Sequence, residues 1–134
     1  AKDGIIAPPV NKKYNRRHVI MLILIYYLKQ VLSLNDIKTL FAPILNDLGR
    51  DDDIISLEDI YSTFLNIRRI EFEDFEQEFA EKFQLIQEHT SNLTDENQDL
   101  AEIFLLIITL AAQAGAQKRL AEKLIDKYFQ NDKS

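Results

Sequence analysis

The densest functional chemistry in the sequence lies near its start. Lys12, Lys13, Tyr14, Arg16 and Arg17 bring four cations and a phenol hydroxyl to the beginning of an expected helix. Charge, hydrogen-bond donors and the positive end of a helix dipole together suit a phosphate. The bland alternative is a solvated basic helix start, the usual fate of a short charge run.

Other reactive residue types are present without the spacing that chemistry requires. His18 and His89 stand 71 positions apart, and neither has a cysteine or an HExxH-type partner. His18 is expected at the edge of the first helix, and His89 near the C-terminus of a later one, where the dipole favours a cation. Asp51, Asp52 and Asp53 with Glu58 invite a calcium reading. The sixth and twelfth positions of such a loop are Ser56 and Ser62 instead of Gly and Glu, so a solvated loop is expected. Glu73, Asp74, Glu76, Glu78 and Glu81 supply carboxylates but no sign of the shaped pocket that general acid–base work needs. Without a Ser-His-Asp order or a Gly-rich phosphate loop, the sequence reads as non-enzymatic, with no cofactor and no metal site.

Phe72, Phe75, Phe79 and Phe83 step by three and four residues, with Ile86 continuing the stripe along an otherwise acidic helix. The stripe is expected to be core, or else to line a pocket for a ligand or partner. Asn92-Leu93-Thr94 fits a glycosylation pattern but reads as a loop and helix cap.

The elements that must position these groups are helices. The 134 residues are 46% hydrophobic and 28% charged, an ordinary balance for one soluble domain, and hold three Gly, three Pro and no Cys. The absence of cysteine removes disulfides and thiolate chemistry and agrees with a cytoplasmic location. Charge is uneven. Residues 1–30 hold six basic residues against Asp3, a balance of +5, while the rest holds ten against 21 acidic residues, or −11. A polyanion would meet the N-terminal end.

Gly4, Pro8-Pro9 and Asn11 give residues 1–14 the character of an extended arm. A helix then runs from an Asn15 cap to about Val31, although its β-branched content also suits a buried strand. Ser33 to Asp36 and Ser56 to Asp59 each resemble a capping box. The first opens a helix with Ile37, Leu40, Phe41, Ile44 and Leu45 inward and ends near Gly49. The second opens one with Ile60, Tyr61, Phe64, Leu65 and Ile67 inward. The Phe-stripe helix follows from Glu71, and a further helix follows Thr94.

From Ile103 to Ala112 that last helix is apolar on nearly every side, which places it centrally in the core or in a subunit interface. Gly115 kinks it or divides it from a final helix carrying Leu120, Leu124, Ile125, Tyr128 and Phe129, with a polar tail at 131–134. The longest apolar runs, Val19 to Leu28 and Ile103 to Ala112, fall short of a bilayer span, so no transmembrane helix is expected.

Gly4 to Leu40, with Tyr14, Arg16-Arg17 and the phrase Val31-Leu32-Ser33-Leu34-Asn35-Asp36-Ile37-Lys38, resembles the region after the recognition helix of MerR-type regulators. Pro8 to about Leu65 is more similar still to an uncharacterised bacterial family, domain of unknown function 1836. The resemblance implies a winged segment, a helix-turn-helix upstream of Gly4 and a regulatory role in the cytoplasm.

The combined expectation is an all-α bundle of about five to six helices with an extended N-terminal arm or wing remnant. Residues 1–14 form the arm, and 15–134 a helical dimerisation or effector domain. The expected function is a non-enzymatic transcriptional regulator that touches DNA phosphates and acts as a homodimer, its interface being Ile103 to Ala112 or the first helix. The rival is a helical protein-interaction module with no DNA role.

Overall fold

A computed structural model describes residues 15–46, 56–92 and 95–130. The arm at 1–14, the end of the second helix at Gly49, the Asp51 to Asp53 loop and the 131–134 tail lie outside the described residues. Four helices follow in chain order: α1 Arg16–Lys29, α2 Leu34–Asn46, α3 Leu57–His89 and α4 Asp95–Tyr128. Among the described residues there is no strand.

The helix starts follow from side chains that satisfy orphan backbone donors. The Asn15 Oδ1 accepts from the His18 backbone N–H at 3.0 Å, and the His18 ring nitrogen Nδ1 lies 3.5 Å from the Asn15 N–H, so the two form a capping box. Ser33 Oγ accepts from Asp36 N at 3.1 Å, and Ser56 Oγ from Asp59 N at 3.3 Å. Pro43 sits inside α2 without ending it.

Four helices replace the expected five to six because two expected breaks do not occur. From Leu57 to His89 the sequence has neither Gly nor Pro. Pairs at i, i+4 also staple α3, from Arg69 to Glu73, Gln77 to Glu81 and Gln84 to Glu88. The helix opened at Ser56 therefore runs straight into the Phe stripe. Gly115 does not divide α4, since one interior glycine costs a helix only about 1 kcal/mol.

The chain divides into two compact units, 1–64 with 118–134, and 65–117. In the first, Met21 and Ile37 are fully buried, with Ile20, Ile25, Leu32, Phe41, Leu57 and Ile125 around them. Leu40, Ile44 and Tyr61 pack against this core, and the Tyr27 and Phe64 rings meet edge to face at 5.7 Å. Ile60, expected inward, is exposed there, as are Leu120, Leu124, Tyr128 and Phe129, while Ile125 alone of the final stretch is buried.

The second unit is a pair of helical segments. Ile86 and Leu106 are its buried hydrophobics, joined by buried Thr90 and Glu102. Glu102 Oε1 accepts from Gln98 Nε2 at 3.1 Å and lies 3.4 Å from the Thr90 hydroxyl, which donates to the Ile86 carbonyl at 2.9 Å. The Lys82 ammonium donates to the Gln113 side-chain oxygen across the pair. Leu65 and Ile67 are exposed, against expectation. Two helices can bury only the seam between them, so apolar side chains elsewhere on their surfaces stay in solvent.

Candidate functional site

Of the N-terminal phosphate candidates, Lys12, Lys13 and Tyr14 lie outside the described residues. Arg16 and Arg17 open α1. The Arg16 side chain is 82% exposed, and its Nε stands 4.0 Å from the Glu58 carboxylate, a surface contact of little strength. No acidic residue lies in the first turn of α1, which leaves the positive end of its dipole uncompensated within that helix. His18 stands in the first turn of α1, at the helix edge, and is buried as the reciprocal half of the cap, and His89 lies in the last turn of α3, its Nδ1 donating to the Leu85 carbonyl at 2.9 Å.

The Phe stripe is not a sealed core. Phe72 is 69% exposed, Phe75 and Phe79 are exposed, Phe83 is half-buried, and Ile86 alone of the series is buried. The rings of Phe75 and Phe79 stand 6.2 Å apart, and those of Phe79 and Phe83 stack at 6.5 Å. Phe75 and Phe79 line an open cleft of about 550 Å³ together with Leu110 and Ala114. Glu71, Asp74 and Glu78 also line it, as do Lys82 and Gln113, which are joined by a hydrogen bond. Phe72 and Phe83 are not part of this lining. Two of the other carboxylates brace the helix: Glu73 pairs with Arg69, and Glu81 accepts from Gln77. Among the described residues, no three His, Asp or Glu side chains converge.

The clearest unfinished surface is on α4. Glu102, Leu106, Thr109 and Gln113 recur at steps of four, three and four and face α3. Leu100, Phe104, Ile107 and Ala111 recur with the same steps on the opposite side, and all four are exposed. Of the two expectations for Ile103 to Ala112, the core position is corrected: only Leu106 in that stretch is buried, while Phe104, Ile107 and Ala111 are exposed. The sequence showed an all-round apolar segment; the heptad spacing that separates its two seams was the unread signal.

Residues 1–64 match the sequence model of a family described as domain of unknown function (DUF1836). The match spans α1, α2 and the first turns of α3, close to the Pro8 to Leu65 stretch that carries the resemblance. It covers 64 of the 134 residues, less than half of the chain, and stops before the helical pair at 65–117. No curated protein and no solved structure matches the chain.

By length and composition α4 is also able to cross a membrane. Between Glu96 and Tyr128 it holds an 18-residue stretch with mean hydropathy 1.6, of which 11% is buried. The expectation of no such helix counted uninterrupted apolar runs, whereas this average tolerates Thr109 and Gln113.

Proposed function

We propose that this chain is a non-enzymatic helical interaction module, with 65–117 as the surface that another protein covers. The exposed apolar face of α4 carries the reading. On α4, Leu100, Phe104 and Ile107 are each at least 60% exposed and Ile103 and Ile108 about half, and a protein rarely leaves a contiguous apolar patch in water. The acidic, Phe-lined cleft fits the same role. A photoreactive phenylalanine analogue at position 107 of the natural protein in cells should form adducts with protein. Adducts with lipid alone, or none, would contradict the module.

A second reading draws on the charge placement. In it the basic start of α1 touches nucleic-acid phosphates within a cytoplasmic regulator of the MerR type, with Arg16 and Arg17 as the described contacts and Lys12, Lys13 and Tyr14 beside them in sequence. The +5 balance of residues 1–30 against an acidic remainder supports it, because a polyanion is drawn to one end of the chain. Its measurement is salt-dependent binding to random duplex DNA.

A further inference from the structure

We infer that the outer face of α4 pairs with the same face of a second copy, and that the two helices run antiparallel. The inference rests on the interaction reading and supplies its occupant. Leu100, Phe104, Ile107 and Ala111 form a seam opposite the one used by α3, so an identical helix can fill it without disturbing the hairpin.

The area is sufficient. Leu100 is 73% exposed, Phe104 63% and Ile107 60%, with Ile103 and Ile108 near half. Taking about 200 Å² for a fully exposed side chain of this size, these five offer roughly 600 Å² per copy. Covered completely in both copies, these side chains remove at most about 1,200 Å², which reaches the lower bound of a stable specific interface.

Charge selects the direction. No charged residue lies between Glu102 and Lys118. The helix enters this stretch through Glu96 and Asp99 and leaves it through Lys118 and Arg119. Antiparallel pairing brings the acidic end of each helix to the basic end of its partner, whereas parallel pairing sets like charges together. Side-chain size agrees with this direction. Leu100, Phe104 and Ile107 occupy one half of the seam, and Ala111, Ala114 and Gly115 the other, so an antiparallel partner lays large groups over small ones. The acidic stretch of α3 from Glu71 to Glu81, with six carboxylates and no cation, would repel its own copy and stays outside the contact.

A lipid occupant fits less well. The uncharged stretch 103–117 is 15 residues. That is about 22 Å of helix, against a hydrocarbon core of about 30 Å.

Because the chain has no cysteine, single cysteines report the geometry directly. With the two-fold axis near position 109, the two copies of residue 111 stand about 6 Å apart along the axis and those of residue 100 about 27 Å. A short bis-maleimide should therefore link Ala111→Cys to itself in high yield and Leu100→Cys hardly at all. A mixture of Leu100→Cys and Lys118→Cys should give the mixed dimer, with circular dichroism unchanged throughout. Self-linking of Leu100→Cys would overturn the antiparallel sense. Failure of every linkage, with a monomer mass or with flotation on phosphatidylcholine vesicles, would overturn the self-pairing. A monomer whose position-107 probe still captures a different protein would end this inference and leave the interaction module standing.

Discussion

Met21 and Phe104 are both large apolar residues on long helices, and nothing in their immediate sequence distinguishes them. Met21 is fully buried among Ile20, Ile25, Ile37 and Phe41, whereas Phe104 faces away from α3. Met21→Ala should lose about 2 to 5 kcal/mol of unfolding free energy through the cavity it leaves. Phe104→Ala should change the stability of the dilute monomer by no more than about 0.5 kcal/mol, as expected of a surface site. Urea unfolding at low protein concentration separates the two, and a comparable loss at Phe104 would put that ring in a core. Capping residues were the most legible single positions. Asn15, Ser33 and Ser56 each reach a backbone N–H three residues on, a local geometry that the sequence encodes directly. His18 lies at the helix edge as expected, but its role as the reciprocal half of a cap was not legible, because it depends on a backbone contact that composition does not reveal.

Helix identity was legible, and helix length was not. The caps at Asn15 and Ser33 placed the starts of α1 and α2 where they are observed, and Ile37 and Phe41 were correctly read as inward. Their neighbours in the stripe beyond Ile44 fall on side chains outside the described residues. The joins failed in α3, where the change in pattern at Glu71 was taken for a break, and in α4, where of the kink or division expected at Gly115 the division does not occur. A change in which face is apolar does not interrupt backbone hydrogen bonding, so α3 passes through Glu71 as one helix. The start of α1 carries its own prediction. With Arg16→Glu and Arg17→Glu together, fluorescence anisotropy on random duplex DNA should show binding weakened by roughly tenfold or more at low salt, with a shallower salt dependence. Unchanged binding, or no binding by the parent chain, would remove the phosphate reading and leave the interaction module untouched.

For the molecule as a whole, the sequence specifies apolar faces without specifying what covers them. The Phe stripe and the Ile103 to Ala112 segment were both read as candidates for a core because a buried face and an interface face use the same residues. The structure separates these cases. Leu106 and Ile86 are sealed within 65–117, while Phe104, Ile107 and Phe72 remain in solvent. The division of charge, basic over residues 1–30 and acidic beyond, was legible from the start, but the finer alternation along α4 gained meaning only once its two ends were seen to belong to one continuous helix. Covering the exposed α4 face with a second copy accounts for its area, its side-chain sizes and its flanking charges together.

The most direct measurement is sedimentation equilibrium of the parent chain and of Ile107→Glu at micromolar concentration. The account predicts about twice the 15.6 kDa chain mass for the parent and the single-chain mass for the variant, with equal helix content. A parent chain that remains at 15.6 kDa across the concentration series would contradict it.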